Sequence, residues 1–174
     1  MVDIVDSATR SRMMSNIKGR NTKPELLIRS LLYAQGFRFR IHRKDLPGKP
    51  DIVLPKYKAI IFIHGCFWHG HQNCRLFKLP ASRTEFWEAK ISKNQDNDLK
   101  TKELLLNSGW RICTIWECAV RRSKKDPVAL MNILKKWLSG SEQLLEIDEP
   151  MINKKREITL PSSYETGLSS TDSN

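Results

Sequence analysis

The stretch Pro50-Asp51-Ile52-Val53-Leu54-Pro55-Lys56-Tyr57-Lys58-Ala59-Ile60-Ile61-Phe62-Ile63-His64 reads as two strands joined by a turn. Ile52–Leu54 is short and aliphatic, Pro55 to Lys58 turns the chain, and Ala59–Ile63 is apolar at every position. An uninterrupted apolar strand belongs at the centre of a sheet covered on both faces, so the segment predicts helices around a sheet. With the turn centred near Tyr57, Asp51 falls opposite Ile63, one residue from His64. A carboxylate and an imidazole then meet at one sheet edge.

The flanking sequence supplies those helices. Ser7–Lys18 reads as a short helix with Ser7 as N-cap. In Thr22-Lys23-Pro24-Glu25, Thr22 caps, Pro24 suits the first turn and Glu25 completes a capping box; Leu26, Leu27, Leu31 and Leu32 follow, and Gly36 is the stop. Phe37–Ile41 alternates as a strand. Residues 65–83 mix Cys, His, Trp, Gly and Pro without a period and read as a stapled loop. Glu85–Asn107 is a long helix bearing Phe86, Ile91 and Leu99 to Leu106, ended by Gly109. Trp110–Trp116 is a further strand, and Pro127–Leu138 a last amphipathic helix. From residue 141 the composition turns polar, which predicts a flexible tail over 141–174 behind one α/β domain at 1–140.

The 174 residues carry 30 basic and 19 acidic side chains, a net charge of +11. They suffice for one domain. No run of eighteen apolar residues exists to span a membrane, and the polar first twenty residues lack the apolar core of a secretory signal. A basic surplus of this size favours a polyanionic partner, nucleic acid first, through phosphate contacts and counterion release.

The four cysteines are Cys66, Cys74, Cys113 and Cys118. His71 and Cys74 are separated by two residues, Cys66 lies five before His71, and Cys118 follows a strand end. Together they form a donor set for a structural zinc ion. The competing readings are buried cysteines with loop histidines, and a Cys66–Cys74 disulfide. Cys113, inside a strand, reads as small apolar packing.

Asp51, His64 and His69 are the candidate active residues. A carboxylate with imidazoles can hold Mg²⁺, orient water and move protons; the bland reading of Asp51 is a solvated turn residue after proline. A strand-opening Pro-Asp and hairpin also resemble the restriction-endonuclease superfamily. The second carboxylate and lysine of that pattern are replaced here by Ile63 and Gly65.

The run Phe62-Ile63-His64-Gly65-Cys66-Phe67-Trp68-His69-Gly70-His71 resembles the signature of the very short patch repair (Vsr) mismatch endonucleases. Ala8-Thr9-Arg10-Ser11 with Met14, Leu46-Pro47-Gly48-Lys49-Pro50-Asp51, Arg83-Thr84-Glu85-Phe86-Trp87, Lys93-Asn94, Gly109-Trp110-Arg111 and Trp116-Glu117-Cys118 match in the same order. The similarity covers residues 3 to 140.

The resemblance implies a restriction-endonuclease-like mixed sheet flanked by helices, with one structural zinc site and an N-terminal DNA-contacting arm over 1–20. It implies nicking of duplex DNA 5′ to the mispaired thymine of a T:G mismatch left by 5-methylcytosine deamination. In that reading Asp51 and the carbonyl of Ile63 hold Mg²⁺, His64 and His69 are catalytic, Glu25 approaches the metal through water, and Asp98 orients His69. The zinc ligands map to Cys66, His71, Cys74 and Cys118, with the His71–Cys74 spacing one residue longer than the family pattern. Phe67, Trp68 and Trp87 form an aromatic wedge in the DNA, with Met14 entering from the other groove. The implied setting is a monomer in the bacterial cytoplasm, nucleoid-associated during repair, linked to a cytosine-5 DNA methyltransferase and to mismatch-repair proteins. Two alternatives stand beside it: a restriction-like nuclease for foreign or unmodified DNA, and a non-catalytic zinc-stabilised DNA-binding module.

Overall fold

A computed structural model describes residues 20–157, together with Asp6, Thr9 and Arg12. The helix expected at 7–18, Met14 within it, and the segment 158–174 lie outside the described residues.

The chain forms α1 (Lys23–Ala34), β1 (Ile52–Leu54), β2 (Ala59–His64), α2 (Thr84–Asn107), β3 (Arg111–Trp116), α3 (Glu117–Arg122), α4 (Val128–Ser139), β4 (Leu144–Ile147) and α5 (Glu149–Glu157). The four strands make one mixed sheet in the order β1-β2-β3-β4, with β1 antiparallel to β2 and the other pairs parallel. This is the expected α/β architecture of a mixed sheet flanked by helices.

The capping box at α1 is complete: Glu25 N–H donates to Thr22 Oγ1, and the Glu25 carboxylate reaches back to the Thr22 N–H. Gly36, at φ +83°, takes the left-handed turn that stops the helix. Ala59, Ile60 and Ile61 are fully buried because β2 is covered on both faces. Its alternation divides the core. Ile61 and Ile63 join Ile28, Leu32, Cys113, Leu134 and Trp137 against α1, α3, α4 and α5. Ile60 and Phe62 pack with Val53, Ile112 and Leu105 on the other face, where α2 lies.

Four expectations need correcting. Phe37–Ile41 forms no strand; Arg40 alone bridges Val53, through two backbone hydrogen bonds of 2.8 and 2.9 Å. Phe37 and Phe39 pack on the core, but Ile41 is exposed, so the alternation does not complete a buried face. The β1–β2 pairing is Ile52↔Ile61, which sets Asp51 level with Phe62 rather than Ile63, because the turn centres between Lys56 and Tyr57. Residues 144–157 are β4 and α5 rather than flexible tail: β4 pairs with β3, and Ile147 and Ile152 are fully buried. On α2, Ile91 and Leu105 are buried while Phe86, Leu99 and Leu104 are exposed, so the apolar run at its C-terminal half is only partly core.

Candidate active site and metal centre

The even residues of β2 carry the site. Ile60, Phe62 and His64 alternate toward α2, and the same parity on the neighbouring strand places Asp51 and Val53 on that side. Asp51 Oδ2 accepts a 2.7 Å hydrogen bond from the Ile63 N–H. Burial, with a smaller contribution from the Glu25 charge, pushes the Asp51 carboxyl up to about 6. A desolvated carboxylate of this kind gains most from a cation, and its hard oxygen suits a divalent ion that keeps waters and substrate oxygens as further ligands.

The Glu25 carboxylate is occupied. It accepts from Asn21 N–H (2.9 Å), Thr22 Oγ1 (2.8 Å) and Arg29 Nη2 (2.9 Å). Arg29 Nη2 also donates to the Asp51 carbonyl at 3.1 Å, and Nη1 to Asn21 Oδ1 at 2.7 Å. The α1 N-terminus thus braces the Asp51 backbone through a nearly buried guanidinium.

His64 and His69 stack face to face, centroids 3.8 Å apart and planes 9° apart. Asp98 Oδ2 lies 2.6 Å from His69 Nδ1 and 3.9 Å from His64 Nδ1. Burial, and then the neighbouring His69, push His64 down to about 3, so it is neutral at ordinary pH. Asp98 fixes His69 with Nδ1 as the donor, which leaves Nε2 for proton transfer. Ligand atoms of this trio are close enough to share a metal ion. The near-parallel planes oppose it, because an imidazole lone pair lies in its ring plane and the two planes do not meet within bonding distance of both rings. We read the trio as a proton-handling group.

Past β2 the chain turns into the cysteine loop. Ligand atoms of Cys66, His71, Cys74 and Cys118 all lie within 4.8 Å of one another. Cys66 Sγ and Cys118 Sγ are 3.5 and 3.6 Å from His71 Nδ1. A tetrahedron with Zn–S bonds of about 2.3 Å has edges of about 3.8 Å, so three thiols and one imidazole fit this ion, and the extra residue before Cys74 is absorbed by the loop. All four cysteines are free thiols, which removes the disulfide reading. Cys66 donates to Cys118, holding that thiol down to about 6 and pushing its own up. His71 also stacks on Trp116, at 4.1 Å and 3°. Cys113 is buried in the core, as read from the sequence.

Between Cys66 and His71 sit Phe67 and Trp68. Their rings meet Trp87 of α2 at 5.3 and 6.0 Å, and each other at 5.2 Å. All three are half-buried. A cleft of about 730 Å³ joins these parts: Glu25, Asp51, His64, Trp68, His69 and Asp98 line it, as do Arg20, Arg43, Lys44, Lys49, Lys90 and Lys102. No described helix is long and apolar enough to cross a membrane.

The structure therefore brings Asp51, His64, His69, Asp98 and Glu25 to one cleft, the four sulfur and imidazole donors to one point, and Phe67, Trp68 and Trp87 to one cluster. At Ile63 the recorded contact is its N–H on Asp51. Sequence reading assigned no role to Arg29 or to Trp116, which lies edge-on to His64. Arg29 stands four residues after Glu25, an ion-pair spacing that could have drawn notice. Trp116 has only its place at a strand end beside Cys118.

A family model described as DNA mismatch endonuclease Vsr matches residues 2–75. The chain is 46% identical over 149 residues to the DNA mismatch endonuclease Vsr of Escherichia coli, covering 85% of this chain and 95% of that one. It is 43% identical over 134 residues to the type II nicking enzyme V.XorIIP of Xanthomonas oryzae pv. oryzae, covering 77% and 98%. The type II nicking enzyme V.NmeAIP of Neisseria meningitidis is 46% identical over 121 residues, covering 70% and 86%. Similarity over almost the full length of these enzymes, with the cleft and the metal cluster in place, shows that the chain belongs to the Vsr family of DNA mismatch endonucleases.

Proposed function

We propose that this chain is a Mg²⁺-dependent endonuclease that nicks duplex DNA 5′ to the mispaired thymine of a T:G mismatch, and so begins very short patch repair. The observation that supports it most is the convergence of Asp51, the His64–His69 pair and Asp98 in one basic cleft beside Trp68.

Asp51, with the Ile63 carbonyl, would hold Mg²⁺, and Glu25 would act through water. Bound there, the ion would supply positive charge at the scissile phosphate and lower the pKa of a bound water. His69 moves a proton at Nε2 while Asp98 stabilises the imidazolium across 2.6 Å. His64, kept neutral by burial, orients the phosphate or the water. Basic side chains along the cleft meet backbone phosphates. Phe67, Trp68 and Trp87, with Met14 of the arm, enter the mismatched step; unstacking costs a few kcal/mol, least at a mispair, and stacking on the aromatic rings offsets it. Zn²⁺ at Cys66, His71, Cys74 and Cys118 is structural. Action as a monomer in the cytoplasm and a link to a cytosine-5 methyltransferase and mismatch-repair proteins complete the reading.

The test is strand nicking with Mg²⁺ on T:G, the other mispairs and the paired duplex, each in several flanking contexts. Preferential nicking 5′ to the mispaired T is expected. Equal cutting of paired duplex favours a restriction-like enzyme, a reading to which the nicking-enzyme relatives lend weight. Binding without cutting favours a DNA-binding module.

A further inference from the structure

The turn Trp68-His69-Gly70 carries both a wedge side chain and the proton-transfer histidine. The N–H groups from His69 on are used within the loop: His69 N–H donates to Gly65 O (3.2 Å), Gly70 N–H to Phe67 O (3.3 Å) and, just past the turn, His71 N–H to Cys66 O (2.9 Å). Its three carbonyls turn to α2 instead. Asn94 Nδ2 donates to Trp68 O at 2.8 Å, and Gln95 Nε2 donates to both His69 O and Gly70 O at 3.3 Å. One helical turn further on, Asp98 holds the His69 ring.

Gly70 makes this approach possible. It adopts φ +61°, and a Cβ there would lie 2.5 Å from Gln95 Nε2 and 2.7 Å from Ile91 Cγ2. The turn is thus pressed onto α2 where Gln95 stands, while metal ligands Cys66 and His71 tie its ends. The His69 backbone is fixed by Gln95 and its ring by Asp98, both from the same helix.

From this geometry we infer that Gln95 is a positioning residue for His69: its amide sets the backbone from which the imidazole reaches both Asp98 and the scissile phosphate. The inference rests on the proposed nuclease reading for its kinetic consequence and on the structure alone for its effect on His69. Gln95→Leu keeps the volume beside Gly70 and Ile91 and removes the donor; Gln95→Met serves if the Leu variant melts early or loses its metal.

Two readouts test it in the full chain. Single-turnover nicking of a T:G duplex should slow about tenfold with duplex affinity within about twofold, the upper end of what one intramolecular hydrogen bond contributes. The double variant Gln95→Leu with Asp98→Asn should lose much less than the product of the two single losses, because both act through His69. Independently of activity, proton NMR should show the imidazole N–H shared by His69 and Asp98 as a downfield resonance, moved upfield in Asp98→Asn, where the acceptor is neutral, and shifted or broadened in Gln95→Leu. An unchanged resonance, fully multiplicative losses, or a fall in affinity equal to the fall in rate would overturn the inference. If Gln95→Leu shifts the resonance while the wild-type protein nicks no duplex, the nuclease reading falls and the positioning role stands.

Discussion

Asp98→Asn isolates the step on which the proton chemistry depends. The change keeps the size of the side chain and an oxygen that can accept from His69 Nδ1, so the ring stays oriented. What disappears is the negative charge that stabilises His69 as it takes up a proton. The contact is 2.6 Å long, with both side chains only about a quarter exposed, so solvent screens little of it. Hydrogen bonds to charged groups are worth about 1.5–3 kcal/mol. At 1.36 kcal/mol per tenfold in rate, that is a loss of about 10- to 150-fold. The assay is single-turnover nicking of a mismatched duplex with saturating enzyme and Mg²⁺, alongside duplex affinity measured with Ca²⁺ in place of Mg²⁺. The loss should fall on the rate, with affinity nearly unchanged. A rate within twofold of wild type would refute the assignment of His69 and Asp98 as a proton-transfer pair. A loss confined to affinity would show that Asp98 shapes the DNA-binding surface instead.

Three further outcomes follow from the same geometry. In Mg²⁺-free buffer Asp51→Asn should stabilise the fold at neutral pH. Burial pushes the folded carboxyl up to about 6 from its ordinary value of 3.8, so its penalty is absent well below 3.8, where both states are protonated, grows between 3.8 and 6, and is complete once pH has risen through 6. The full difference is bounded at about 3 kcal/mol, and thermal melts showing a pH-independent difference would contradict it. Cys118→Ser, or prolonged chelation of the wild type, should release one zinc per chain and lower the melting temperature sharply, since structural metal binding is coupled to folding; metal analysis showing no zinc in the native protein would refute this. Trp68→Ala should weaken mismatched-duplex binding by about 1–3 kcal/mol, the value of one aromatic–base stack, and reduce preference over paired DNA, whereas equal weakening for both duplexes would remove it from the wedge.

Much of the fold was legible because several local signals agreed with the tertiary arrangement. Thr22 and Glu25 form a cap within four residues, and Ala59–Ile63 has no polar position to expose. The failures were non-local. β4 is held by its pairing with β3 and by the burial of Ile147, and α5 by Ile152; a composition average across a polar stretch cannot reveal either. Asp148 is a retrospective clue, since its carboxylate accepts the Met151 N–H at 2.9 Å as a helix cap does. Phe37–Ile41 shows the reverse error. Its alternation is genuine at Phe37 and Phe39, but the adjacent edge strand β1 has only three residues, too few to pair with a fifth full strand.

The site was legible where its residues crowd in sequence, as in His64, Cys66, His69, His71 and Cys74, and obscure where it depends on α2. That helix buries few apolar residues, only Ile91 and Leu105, and a polar helix read alone is a solvated one. Its polar positions nevertheless meet partners that an irregular loop cannot satisfy by itself: the carbonyls of Trp68, His69 and Gly70 and the Nδ1 of His69. Backbone acceptors shielded from water need donors, and a loop held between Cys66 and His71 of the thiol–imidazole cluster has little freedom to find them. The helix supplies them from Asn94 and Gln95 and adds the carboxylate one turn later. Side-chain amides on a helix that passes an irregular, ligand-rich loop are therefore to be read as candidate partners of that loop's backbone, even where hydrophobic periodicity is silent.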